Sequence, residues 1–158
     1  MQKIVTNLWF DGRVEEALEL YTSCFKDARV TSITRYTKAG MGRAGEIMTA
    51  VFELAGQEFC IINGGTHYKL SPAMSLHVKC VDQDEVDKLW DRLTSDGGEK
   101  SRCGWLTDRF GVSWQIVPIA LGEMLESDDA AAVERVTTAF LKMDKLDITA
   151  LENAFRDD

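Results

Sequence analysis

The chain has few of the residues that announce a metal or redox centre. It holds two histidines and four cysteines among 158 residues, and none of them forms a CxxC or HxxxH pattern. Cys24, Cys60, Cys80 and Cys103 lie too far apart for a dithiol pair or a zinc knuckle. Cysteines set in apolar strands and helices ordinarily act as small buried hydrophobes. Cys103, between Arg102 and Gly104, is the one position that suits a reactive thiol. Positive charge is also in deficit. Lys plus Arg number 18 against 26 Asp plus Glu, a net charge of −8. The electrostatic term that dominates binding to a phosphate backbone would be repulsive, so a nucleic-acid partner is excluded, as is an anionic membrane surface. No apolar run approaches the ~20 residues of a membrane-spanning helix. The first residues, MQKIVTNLWFDG, lack the basic start, apolar stretch and small-residue cleavage site of a signal peptide. The expected compartment is the cytoplasm.

What is present is an ordinary globular mixture, 45% hydrophobic and 28% charged, of a length that suits one structural domain. The apolar pattern divides it further. Residues 4–10 read as a strand, Asp11-Gly12 as a turn, and residues 14–25 as a helix with Ala17, Leu20, Tyr21 and Cys24 on one stripe. A strand over 30–36 leads into a Gly-rich loop at 38–45. Residues 46–54 and 57–63 then form a hairpin across Ala55-Gly56. After Gly64-Gly65 and a connector at 66–73 the order begins again. Residues 74–80 read as a strand, 84–95 as a helix with acidic residues at its positive end, and 104–107 and 113–117 as strands.

This order is an internal repeat. A shift of 69 carries Ala17, Leu20, Tyr21 and Cys24 onto Val86, Leu89, Trp90 and Leu93. The same shift places Thr6 on Ser75, and the last strands align Phe59-Cys60-Ile61-Ile62 with Trp114-Gln115-Ile116-Val117. The fold class is therefore α+β. Two tandem βαβββ modules, residues 1–65 and 66–118, form a curved mixed sheet, and 119–158 is a C-terminal helical extension within one structural domain. In that extension Val133, Val136, Phe140 and Met143 make one stripe. Asp147 caps a last helix bearing Ile148, Leu151 and Phe155. These stripes must cover an edge of the sheet or a neighbouring subunit.

Paired βαβββ modules resemble the vicinal oxygen chelate superfamily, the glyoxalase and bleomycin-resistance fold. More narrowly, NLWFDG, EEALELYTSCF, GQEFCIINGG, EVDKLW and CGWLTDRFGVSWQIVP are similar to the PhnB-like proteins, a family often labelled a demethylubiquinone methyltransferase domain. The resemblance implies a small-molecule site inside the curved sheet and a C2 homodimer, with or without exchange of modules between subunits. It also implies that metal-dependent relatives place His, Glu or Gln on the first and last strand of each module. Here those positions read Thr6, Cys60, Ser75 and Gln115. Only Gln115 is a ligand type used there, and Cys60 must lose its proton to bind. No metal and no other cofactor is expected. The methyltransferase label also lacks support, because neither Gly64-Gly65 nor Gly97-Gly98 joins a strand to a following helix as a nucleotide-type cofactor loop does.

Gln115 is out of place in an otherwise apolar strand, and an unpaired buried amide costs ~1–3 kcal/mol. Either Thr6, Ser75 and Gln115 satisfy one another, or they line a ligand pocket. His77, two residues beyond Ser75, lies on the same strand face and is either structural or an acid–base group. Trp105 can cap the same cavity. The candidate ligand-binding set is thus Thr6, Cys60, Ser75, His77, Trp105 and Gln115. Asp108, Arg109 and Gly111 read as hairpin-turn residues. The expected function is small-molecule binding with a degenerate metal site. The alternative is an enzyme of the same superfamily, metal-dependent or assisted by His77.

Overall fold

The computed structural model describes residues 2–40 and 42–157. The chain divides into two compact units, the first running to Leu70 and the second beginning at Ser71.

In the first unit β1 (Thr6–Phe10), α1 (Val14–Cys24), β2 (Arg29–Arg35), β3 (Ile47–Leu54) and β4 (Gln57–Asn63) build a sheet ordered β1-β4-β3-β2. β1 runs parallel to β4, and the remaining pairs are antiparallel. The alternation of side chains gives each strand one apolar face. Leu8, Phe10, Ala50, Phe52, Leu54, Phe59 and Ile61 are all buried, and α1 covers them with Val14, Ala17, Leu20, Tyr21 and Cys24. Tyr21, Phe52 and Phe59 stack in sequence, with ring centroids 5.9 and 5.6 Å apart. The β3–β4 hairpin turns through Ala55 and Gly56 at φ 48° and 79°, the paired left-handed conformation that suits two-residue hairpins.

The second unit repeats the plan. β5 (Leu76–Cys80), α2 (Gln83–Leu93), β6 (Glu99–Lys100), β7 (Trp105–Thr107) and β8 (Ser113–Pro118) give the order β5-β8-β7-β6, with β5 parallel to β8. Asp82 caps α2 by accepting from the Glu85 N–H, and the Glu85 carboxylate accepts from the Val81 N–H, so two backbone donors at the helix start are met. Val86, Leu89, Trp90 and Leu93, the stripe matched to that of α1, are all buried.

The repeat holds in the helices with the shift of 69, but β1 and β5 follow a shift of 70. Asn7 pairs with Cys60 on the last strand of its unit, and His77 pairs with Gln115 on the last strand of its own. The physical reason is the turn. Three residues, Asp11 to Arg13, connect β1 to α1, whereas two, Val81 and Asp82, connect β5 to α2. One residue of slip moves a strand position to the opposite face. Thr6 therefore lies with Leu8 and Phe10 on the helix-covered face, and Asn7 takes the place expected of Thr6.

Beyond β8 the chain forms α3 (Ile119–Leu125), α4 (Ala130–Phe140) and α5 (Ile148–Arg156). Asp147 caps α5 as expected, accepting from the Ala150 N–H at 2.9 Å. The three helices share a core of Leu121, Val136, Leu146 and Leu151, against which Val117 of β8, Phe140, Met143 and Phe155 pack. This tail is part of the second unit; Val136 and Leu151 of its stripes are buried, and Val133, Phe140, Met143, Ile148 and Phe155 are partly buried. Gln83 at the start of α2 latches it. The Gln83 side chain donates to the Leu146 carbonyl at 3.1 Å and accepts from the Ile148 N–H at 2.8 Å. The Cys103 and Gly104 N–H groups donate to the carbonyls of Met143 and Asp144 at 2.8 and 2.7 Å. Lys145 and Asp87 add an ion pair at 2.7 Å.

Candidate functional site

Each sheet has one face under its helix and one face turned away. The second unit's open face carries the most polar chemistry. His77 pairs in register with Gln115, and Gln115 pairs with Trp105, so the three side chains form one row across β5, β8 and β7. Ser75, two residues before His77, joins them: the Gln115 Nε2 donates to the Ser75 Oγ at 2.9 Å. Among the described residues no donor meets the Gln115 Oε1. The amide is half-buried and the imidazole of His77 is exposed. The structure thus brings Ser75, His77, Trp105 and Gln115 together on one face of one unit. It explains half of the puzzle of Gln115, with the donor satisfied and the acceptor available.

The first unit's open face is different. Its corresponding row is Asn7, Cys60 and Val51, with Asn7 exposed. Cys60 is on this face and Thr6 is not. Burial, reinforced by Glu58, pushes the Cys60 thiol above its ordinary range, which disfavours the thiolate a metal needs. Nearby, the Asn63-Gly64-Gly65 segment is a tightly made corner. Gly64 and Gly65 both donate to the Phe10 carbonyl, at 3.0 and 3.1 Å. The Trp9 indole donates to the Gly65 carbonyl at 2.8 Å, and the Asn63 amide bridges the Gly12 N–H and the Ile47 carbonyl.

These contacts decide how two groups suggested by the fold would fit. The donor set of the open faces, Asn7 and Cys60 in one unit and His77 and Gln115 in the other, offers one imidazole, one thiol whose thiolate is disfavoured, and two neutral amides. Among the described residues no three His, Cys, Asp or Glu side chains converge to hold a metal ion. Adenosylmethionine fares no better. The glycines after β4 lead into residues 66–75, which contain no helix, and their N–H groups are already engaged. Gly98 donates to Ser95 and leads into β6. Neither glycine pair presents free backbone donors at a helix start, the arrangement that binds such ligands.

Asp108 is a structural residue, as its sequence setting suggested. Its carboxylate accepts from the Phe110 and Val112 N–H groups and from the Trp114 indole, closing the β7–β8 turn over Gly111 at φ 90°. Two residues of interest escaped the sequence reading. Asn7 could have been found from the alternation of Leu8 and Phe10, which assigns it to the opposite face. Ser113 falls on the Gln115 face by the alternation of its strand, but its burial carries no signal in the sequence, because a serine at a strand end is usually a turn residue.

The family model described as 3-demethylubiquinone-9 3-methyltransferase matches residues 2–117. The PhnB protein of Bacillus cereus shares 39% identity over 74% of this chain and 99% of its own, with a TM-score of 0.68. Protein PA1353 of Pseudomonas aeruginosa is 20% identical, with a TM-score of 0.62 over 75% of this chain and 98% of its own. The fosfomycin resistance protein FosX of Listeria monocytogenes is 15% identical, with a TM-score of 0.57 over 80% of this chain and 98% of its own. The last two are likenesses of fold alone. No curated protein matches the chain. With the family model spanning both βαβββ units and the Bacillus protein aligned over nearly all of its length, this chain belongs to the PhnB-like, 3-demethylubiquinone-9 3-methyltransferase family within the glyoxalase-like fold.

Proposed function

We propose that the chain is a small-molecule binding protein rather than a methyltransferase or a metalloenzyme, and that its ligand sits on the open face of the second unit. The observation that carries this reading is the row of His77, Gln115 and Trp105, in which the amide donor is held by Ser75 and the amide oxygen is left for a partner. An amide acceptor beside an imidazole and an indole suits a neutral molecule bearing a hydroxyl, carbonyl or phenol group. The net charge of −8 disfavours polyanions. Against a metal centre speaks the absence, among the described residues, of three converging His, Cys, Asp or Glu side chains, and against a methyl donor the absence of a helix after either glycine pair.

A second reading is supported by one observation. His77 is exposed and directly paired with Gln115, where an imidazole can exchange a proton with a bound molecule. Turnover lost on His77→Asn, with binding kept, selects that reading.

We also propose a C2 homodimer. Support comes from the first unit, where every residue of β2 is exposed, Val30 at 39% and Ile33 at 45%. The tail helices bury Val136 and Leu151 within the chain and leave the rest of their stripes partly buried. The test of the function is a thermal-shift screen of neutral hydroxyl, carbonyl and phenol compounds, run alone, with added divalent metals and with adenosylmethionine. Binders in the metal-free arm are the expected result. Stabilisation seen only with manganese, nickel or zinc, or by adenosylmethionine alone, contradicts it. Elemental analysis after dialysis should likewise find well under one transition metal per chain.

A further inference from the structure

The second unit carries a pocket that adjoins the His77–Gln115 row and shares Trp105 with it. Its volume is about 360 Å³, and Pro72, Arg102, Cys103, Trp105, Thr107 and Ser113 help to line it. Thr107 pairs with Ser113 as Trp105 pairs with Gln115, so Trp105, Thr107 and Ser113 share the open face. Two polar residues are buried in the described chain, Asp108 and Ser113, each at 3% exposure. Every partner Asp108 needs is present. Ser113 has none: its Oγ is fully buried and meets no hydrogen-bonding group among the described residues. Buried hydroxyls are normally paired, so this one calls for a partner from outside the chain, on the side where the pocket lies.

We propose that this pocket binds a flat aromatic molecule carrying a hydroxyl group, with the ring against Trp105 and Pro72 and the hydroxyl hydrogen-bonded to Ser113 Oγ. The volume lies within the ~300–1,000 Å³ range of small-molecule sites and exceeds the ~150 Å³ that accommodates one benzene ring, so two fused rings fit. Serine is both donor and acceptor and can serve a phenolic oxygen in either sense. Cys103, half-buried in the lining, gives the pocket a built-in reporter. This inference rests on the reading that the unit's open face takes small molecules, but it assigns Ser113 in place of Gln115 as the polar contact.

The test uses 2-naphthol and naphthalene with the full chain, with affinity measured by calorimetry and Cys103 alkylation followed by peptide mass spectrometry. 2-Naphthol should bind and slow iodoacetamide labelling of Cys103 several-fold. Ser113→Ala should weaken 2-naphthol about tenfold and naphthalene less than twofold. It should leave the melting temperature unchanged or raised, because an unmet hydroxyl is removed. Trp105→Ala should weaken both probes. Equal binding of 2-naphthol to wild type and Ser113→Ala, or binding that leaves Cys103 labelling untouched, overturns the assignment. If 2-naphthol binding is instead lost on Gln115→Leu and kept in Ser113→Ala, the pocket fails and the proposed function stands. If Ser113→Ala does not fold, the labelling of Cys103 in the wild-type chain decides alone.

Discussion

The Trp114 indole nitrogen donates to the Asp108 carboxylate at 2.9 Å, between two buried side chains. The same carboxylate also receives two backbone N–H groups from the turn it opens. Three donors thus depend on one residue. Asp108→Ala leaves them unmet inside the core and should cost roughly 2–4 kcal/mol, given ~1–3 kcal/mol for each buried group left unpaired and partial relaxation. Asp108→Asn keeps one acceptor oxygen and should cost less. Urea denaturation of the two variants checks the order. A cost below ~0.5 kcal/mol for the alanine variant would contradict the role.

Gly64 is held against the ring of Trp9, and a Cβ at Gly64 would overlap the six-membered ring. The indole cannot yield without breaking its bond to the Gly65 carbonyl. Gly64→Ala should therefore destabilise by ~1–3 kcal/mol, the usual cost of overpacking. Gly12→Ala is a comparison of another kind, strained by φ 73° with no neighbour within 4 Å. Melting curves with Trp fluorescence report both the loss of stability and the displacement of Trp9.

The tail latch gives a third prediction. Gln83→Ala leaves the Leu146 carbonyl and Ile148 N–H unpaired and should cost ~1–3 kcal/mol, with faster amide exchange in 141–150. The ion pair beside it has a pH signature. Lys145 and then the Gln83 amide hold the Asp87 carboxyl below its ordinary range, and Asp87 holds Lys145 above its own. A lowered carboxyl contributes stability above its unfolded value and loses it as pH falls through the folded one. A raised ammonium contributes below its unfolded value and loses it as pH rises through the folded one. The Asp87–Lys145 coupling should be present at neutral pH and vanish only in acid, below the carboxylate range, or in strong alkali. Both groups are more than a third exposed, so a double-mutant cycle should give no more than ~1 kcal/mol.

These elements show what the sequence made legible. The helix stripes at Ala17, Leu20, Tyr21 and Cys24 and at Val86, Leu89, Trp90 and Leu93 are dense apolar patterns, and all eight residues are buried. The β3–β4 hairpin was legible because Ala55-Gly56 interrupts two alternating runs. The register of β1 was not, because one extra residue in the turn before α1 leaves the composition unchanged while moving Thr6 to the covered face. α3 was missed for a related reason. It starts directly after Pro118, whose extended backbone (φ −66°, ψ 139°) closes β8 and caps the helix, so no polar linker marks the change. In the site, Gln115 was visible as a polar residue in an apolar strand. Its bond to Ser75 depends on strand pairing 40 residues apart, which local pattern cannot fix.

The quaternary proposal has a direct measurement. Light scattering at micromolar concentration should give a particle of twice 17.7 kDa. Lysine substitutions at Val30 and Ile33, both exposed in the single chain, should shift it toward the monomer with little change in chain stability. A wild-type particle of 17.7 kDa would end the proposal.

The central claim is that Gln115 serves a ligand and not the fold. Gln115→Leu removes the amide at similar volume. It gives up one hydrogen bond, to a partly exposed Ser75 that water can serve. Calorimetric affinity for a compound from the metal-free screen and the melting temperature should be measured on the same preparation. The account predicts stability within ~1 kcal/mol of wild type and binding weakened by ~1–3 kcal/mol or more. A clear loss of stability with affinity unchanged would make Gln115 a core residue and contradict the account.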